Sequence, residues 1–339
     1  MIRISGSGAV SPAGWGVPAL MAALDSGARP ALSELCRERK NGPPQVTPVL
    51  RVPPAPSTLP KSPRLRRVSP ISKFAVAAAI EALGPDRAAL AAAGELRLGV
   101  VCTLLNGCVN YSNRFFSEVL ADPSVASPIL FPETVFNAPS SHLSSLFNST
   151  APNDTILGDS AEIFTALEIA TEWLLRGDCD GVLVVAPEEI DWLSAEGLGL
   201  YSHQAIAAEG AAALYLEIGT GSPRILSIPD PVPLGPGGDR AEALRELMKA
   251  GEVVNDGRTL LADSRSGVGR FDAPEDRAYA AWTGPRISVR ELLGEAFGAS
   301  SGLQIVAAIE HLRRGTADRA WISTLGGNEQ AGGCLLGGC

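Results

Sequence analysis

The chain has 339 residues, 45% of them hydrophobic, 19% charged and 5% aromatic, with 36 Gly and 26 Pro. That is enough apolar chain for one large two-lobed core, and it suits a loop-rich α/β protein better than a helical bundle. A net charge of −9 excludes the broad basic surface that nucleic acid requires.

Six cysteines without a CxxC pair and only three histidines argue against a zinc centre or a disulfide framework. Free, buried thiols in a reducing cytosol are the simpler expectation. No apolar run approaches the ~20 residues of a membrane span. The opening MIRISGSGAV lacks the apolar core of a signal peptide, so a soluble cytoplasmic protein without metal or cofactor is expected.

In chain order, IRISGSGAVSPAGWG (2–16) predicts a strand ending in a Gly/Pro turn, and an Ala/Leu helix follows over 17–27. Residues 28–70 are Pro-rich with little periodicity and predict a long surface excursion. Within it, KSPRLRRVSP (61–70) reads as a solvated basic loop. Helices are expected at 71–83 and 86–93, a buried strand at 96–105, and helices at 109–121 and 138–147. TILGDSAEIFTALEIATEWLLRGDCDGVLVV (155–185) predicts a turn feeding a helix at 161–176, then a buried strand. Segment 187–203, with its acidic residues and Trp192, reads as a surface loop. Strands at 209–218 and 224–230 follow, then a helix at 239–250 and a strand at 258–262. Helices at 275–282 and 299–314 and a strand at 319–324 close the pattern. Apolar strands alternating with Ala-rich helices imply mainly parallel sheets covered on both faces, in two lobes divided near residue 220.

Several stretches, in order, resemble the β-ketoacyl synthases. They are ISGSGAVSPAGWG (4–16), FNAPSSHLSSLF (136–147), AAEGAAALYLE (207–217) and TLGGNEQAGGCLL (324–336). The resemblance spans nearly the whole chain and implies an α/β thiolase-like fold. Two similar lobes, 1–220 and a trimmed 221–339, would stack as α-β-α-β-α layers. In that family a Cys at the start of a buried helix is the nucleophile, and two His of the second lobe hold the thioester carbonyl. The Cys position falls on Ser160, preceded by Asp159. The first His motif falls on SRSGVGRFDAPE (264–275), placing Ser264 at the His. The Lys and second His fall on Arg290 and Glu295 of SVRELLGEAFGASSGL (288–303).

A helix terminus worth ~1 kcal/mol cannot ionise a serine hydroxyl. An ionised Glu295 would oppose the enolate that decarboxylation creates. Decarboxylative condensation by this chain is therefore not expected, and Ser160 reads as a remnant capping its helix. The alternative is a Ser160–Glu295 dyad for acyl transfer or thioester hydrolysis. A third reading is a free-standing module that binds acyl groups. His142, His203 and His311 are read as structural.

Within the resembled family, chain-length factors keep the fold, lose the nucleophile and pair with an active ketosynthase. This implies a heterodimer in a type II polyketide or fatty-acid-like system, served by an acyl carrier protein, with a homodimer possible when the chain is alone. Tyr111, Phe115 and Phe116 lie on the helix that faces the seam in those subunits, and are the candidate tunnel and interface residues. Tyr111 and Phe115, four apart, share a helix face.

Overall fold

The alternation of IRISGSGAVS does make a strand. In the computed structural model β1 (Ile2–Ser11) turns through β2 (Gly14–Trp15) into α1 (Val17–Ser26). The structure describes residues 1–39, 41–57, 65–235, 237–327 and 330–338, so part of the basic 61–70 segment, part of the Gly-rich 324–336 loop and Cys339 lie outside the described residues. Next come β3 (Ser33–Arg37), β4 (Gln45–Leu50) and α2 (Pro70–Ala92). The two expected helices of 71–93 meet in α2 at Gly84, whose φ of 70° admits a sharp bend before Pro85.

β5 (Leu98–Leu104), α3 (Val109–Ala121), α4 (Ala138–Leu146), β6 (Asn153–Leu157), α5 (Glu162–Arg176) and β7 (Gly181–Glu188) follow. After them come α6 (Trp192–Tyr201), β8 (Ala207–Ala208) and β9 (Gly210–Ile218). The later part runs β10 (Arg224–Ser227), β11 (Val232–Pro233), α7 (Arg240–Ala250), β12 (Thr259–Asp263) and α8 (Gly269–Ala278). It ends with β13 (Arg286–Ser288), α9 (Val289–Leu293), α10 (Gly298–Arg313), β14 (Arg319–Leu325) and β15 (Gln330–Gly337).

The strand order β6-β5-β7-β9-β1 recurs as β13-β12-β14-β15-β10. In each set the first two pairings are parallel and the last two antiparallel. The sheets are thus mixed, because one strand of each set, β9 or β15, runs back against both of its neighbours while the other four run together. The sets meet where β1 pairs β10, Arg3 opposite Arg224.

α5 and α10 lie between the two sets, within one apolar cluster that draws on both. α2 and α4 cover the outer face of the first set, and α7 and α8 pack outside the second. These are the layers of a thiolase-type fold. α10 approaches β9 so closely that a Cβ on Gly302 would stand 2.6 Å from that of Ala212.

Three expectations are corrected. Residues 28–70 are not all excursion: β3 and β4 form a hairpin that joins β8, because Val49 and Leu50 are buried there. Segment 187–203 is largely helix α6, started by a capping box between Asp191 and Ser194. The helix expected at 275–282 lies at Gly269–Ala278 with Pro274 inside it, since Asp272 and Glu275 point inward and bind the preceding loop.

Candidate functional site

β6 ends three residues before Ser160, which is 6% exposed and leads into α5. The helix cap is not Ser160 as expected. Asp159 Oδ1 accepts the Ala161 N–H at 3.0 Å, and the N-cap residue is Ala161, without a side-chain cap bond. Asp159 is wedged under the loop after β14: a Cβ on Gly326 would overlap its carboxylate. Gln330 Nε2 donates to Glu162 Oε1 at 2.8 Å, so β15 also grips the first turn of α5.

Ser264 follows β12 directly. Its hydroxyl and N–H both donate to the buried Glu275 carboxylate, and its Oγ accepts the Leu325 N–H at 3.1 Å. Burial, with the Asp263 charge beside it, raises the Glu275 pKa. Asp272, from the same motif, takes the Ser266 and Gly267 amides at 2.8 and 2.9 Å.

Glu295 lies between α9 and α10 and is engaged on both oxygens. Arg290 Nη1 donates to Oε2 at 3.1 Å, and the Phe297 N–H donates to Oε1 at 2.7 Å. Arg290 is buried, with its second Nη bound to Ser301 Oγ at 2.8 Å. Ser301 in turn meets Thr324 Oγ1 at 3.1 Å. Among the described residues the Arg290 Nε has no hydrogen-bond partner. Phe297 is held at φ 48°, a strained value for a bulky residue, at the start of α10.

The end of β14 therefore gathers the three positions. Thr324 reaches Arg290 and Glu295 through Ser301, Leu325 touches Ser264, and Gly326 presses on Asp159 beside Ser160. Among the described residues no hydrogen bond joins Ser160 to Ser264 or to Glu295. The histidines are engaged elsewhere or exposed: His142 Nε2 meets Glu133 Oε1 at 2.8 Å, His311 Nδ1 meets Thr316 Oγ1 at 2.9 Å, and His203 is exposed. Cys102, Cys108, Cys179 and Cys334 are free and buried, with thiol pKa values pushed up by burial, whereas Cys36 is exposed.

Sequence reasoning missed a second group of buried carboxylates. Glu188, at the C-terminal end of β7, accepts the Leu105 and Asn106 amides and a backbone bond from Gly298, and burial pushes it up to about 8. Glu189 accepts Ser69 Oγ at 2.6 Å, the Ile71 amide at 2.9 Å and the Asn110 amide at 2.8 Å. Glu209 accepts the Val52 amide at 3.1 Å. These side chains clamp the loops after β5 and β7 and the start of α10. The signal was a pair of acids directly ending a wholly apolar strand, the end at which open α/β sheets place their sites.

α3 presents no fully buried residue. Phe115 turns toward the 131–133 turn and meets Phe131 at 5.7 Å between ring centroids, whereas Phe116 and Leu120, four apart, are 60% and 71% exposed. Tyr111 lies on the Phe115 side and is partly buried. Trp192, on α6, carries Arg37 over its ring at 4.3 Å.

The fold is of the thiolase type found in ketosynthases. No family profile and no curated protein sequence matches the chain. Among solved structures it is similar to the ishigamide ketosynthase/chain length factor, with 18% identity over 99% of this chain and 98% of that one and a TM-score of 0.82. It is also similar to the ketosynthase ApeO in complex with its chain length factor ApeC from Xenorhabdus doucetiae, at 14% identity over 100% and 98% with a TM-score of 0.83. A type II polyketide ketosynthase bound to its acyl-carrier protein, AntDE:AntF, matches at 15% identity over 100% and 99% with a TM-score of 0.77. Among the described residues no helix is long and apolar enough to cross a membrane.

Proposed function

We propose that this chain is a non-catalytic ketosynthase-like subunit of the chain-length-factor kind. It pairs with an active ketosynthase in a cytoplasmic type II polyketide or fatty-acid-like system and shapes the acyl tunnel. The observation that carries the reading is the locked state of the reactive positions. Ser264 is tied to Glu275, and Glu295 is tied to Arg290 and to the Phe297 amide. Among the described residues no thiol, imidazole or carboxylate is bonded to Ser160. The repeated strand order supports treating 1–220 and 221–339 as two halves of one frame.

In this reading the partner meets the edge of β6 and the Phe116–Leu120 face of α3. Growing chains arrive on an acyl carrier protein docked to the pair, as the neighbours in complex with a chain length factor and a carrier protein suggest. The test is co-expression with an active ketosynthase, which this reading expects to be encoded beside the chain. A stable heterodimer should form, and it should keep its full condensing activity when Ser160 is replaced by Ala. Lost turnover with pairing intact would transfer the function to a Ser160 acyltransferase or thioester hydrolase with Glu295 as its base.

A further inference from the structure

β6 is the outermost strand of its set and pairs with β5 alone among the described residues. The Val100 N–H donates to the Pro152 carbonyl at 3.0 Å. By the alternation of a parallel ladder, the N–H and C=O groups of Asn153, Thr155 and Leu157 then point away from β5. Such a row is a template for another strand. It is also already shaped for one. Thr155 Oγ1 meets Ser140 Oγ at 2.9 Å and Asn153 Nδ2 donates to the Ser140 carbonyl at 3.0 Å, so α4 holds the strand extended.

One of the outward donors is not open. Asp154 Oδ1 accepts the Thr155 N–H at 2.7 Å. Asp154 is the single charged residue of β6, is exposed, and has no ion-pair partner among the described residues. Leu157, on the same strand, is 51% exposed.

We propose that Asp154 selects the strand that β6 accepts: one from a non-identical chain that presents Lys or Arg across from it, and not a second copy. The inference rests on the pairing reading above and adds the chemistry of the partner. Two copies related by a two-fold axis would pair their β6 strands antiparallel, the same short surface on both sides. Centred on Thr155, pairing over these five residues sets each Asp154 opposite Ile156 of the other copy and brings the two carboxylates to diagonal positions about 7–8 Å apart on one face, where like charges repel. Pairing also requires Asp154 to leave the Thr155 amide. A cation opposite compensates both costs, and a second carboxylate compensates neither, so specificity here includes a repulsive element.

The experiment is sedimentation of the wild-type chain, Asp154→Asn and Asp154→Lys, each alone, mixed, and with the neighbouring ketosynthase, at low and high salt. Asp154→Asn should raise the self-association constant about tenfold, most at low salt. Wild type mixed with Asp154→Lys should give mixed dimers above the statistical half. Asp154→Lys should weaken pairing with the ketosynthase about tenfold. Self-association and ketosynthase pairing both indifferent to Asp154 would overturn the inference while leaving the chain-length reading standing. A wild-type chain that never pairs with the ketosynthase would overturn that reading, and the mixed-dimer measurement would still decide the role of Asp154.

Discussion

Around the end of β14 most of the named polar atoms are engaged, while along β6 and α3 apolar side chains stand in water. Glu295 holds Arg290 and an amide, and Ser264 holds Glu275 and an amide. Phe116, Leu120 and Leu157 are more than half exposed. Buried polar groups left unpaired are costly, so the polar side chains enclosed here are held by internal partners. Exposed apolar surface of this extent marks a place where something else sits. The difference teaches that changes in the first region should act on folding and changes in the second on assembly.

The largest expected effect comes from opening the closed region. Arg290→Met strands Glu295 and the Ser301–Thr324 bond, and should cost about 3 kcal/mol of unfolding free energy, read by urea denaturation. The double variant Arg290→Met/Glu295→Gln should recover much of that loss, since removing both partners is cheaper than leaving one charge. A single variant as stable as the wild type would mean that the closure is cosmetic.

Glu188 sharpens the same contrast through pH. Its folded pKa is raised to about 8, so between about pH 4.5 and 8 the folded state keeps a proton that the unfolded state releases. This contribution is therefore complete at low pH and is lost as pH rises through 8. Glu188→Gln should gain stability on the wild type as pH increases, by about 1 kcal/mol per unit across that window. Parallel stability curves for the two proteins from pH 5 to 9 would contradict the burial argument.

On the exposed face of α3, Phe116→Asp should leave the unfolding free energy within about 0.5 kcal/mol of wild type. The same change should weaken ketosynthase pairing by about 2 kcal/mol, measured by titration calorimetry. The aromatic pair on α3 separates two roles that the sequence merged. Phe116→Ala in the complex should lengthen the product, read by mass spectrometry, whereas Phe115→Ala should loosen the Phe131 contact and cost about 1 kcal/mol of stability. Equal product shifts from both would erase the distinction. Ser160→Ala is the smallest change: about 0.5 kcal/mol or less in stability and no change in turnover.

The strands and helices that bury an apolar stripe were legible before the structure. β5, β7 and α5 are written in continuous or 3.6-spaced apolar residues, and their expected spans hold to within a few residues. β6 was not legible. Its NDTIL is short and half polar because one side of the strand is open. α6 was hidden by Gly197 and Gly199, although the Asp191-to-Ser194 spacing was the cue to its start. Pro274 drew the start of α8 too far along the chain, since the inward bonds of Asp272 and Glu275 override what proline disfavours. At the site, Ser160, Ser264, Arg290 and Glu295 were found by position in a resembled pattern. Their partners Ser301, Thr324 and Leu325 lie inside quoted stretches, yet the letters do not say which side chains meet, because α10 and the end of β14 come together only in the fold. The repeated strand order was equally invisible, because topology can recur without recurrence of letters.

β1 is the earliest strand of this sequence, and it sits at the middle of the sheet. Its neighbours, β9 and β10, begin only at Gly210 and Arg224. At about 5–20 residues per second of synthesis, Ile2–Ser11, paired until then only with the two-residue β2, waits roughly 10–40 s for β9. Pairings so remote in sequence also slow folding once the chain is complete. Soluble yield should then be set by how long this strand stays uncovered. Slower translation, or holding by a chaperone, acts on that interval.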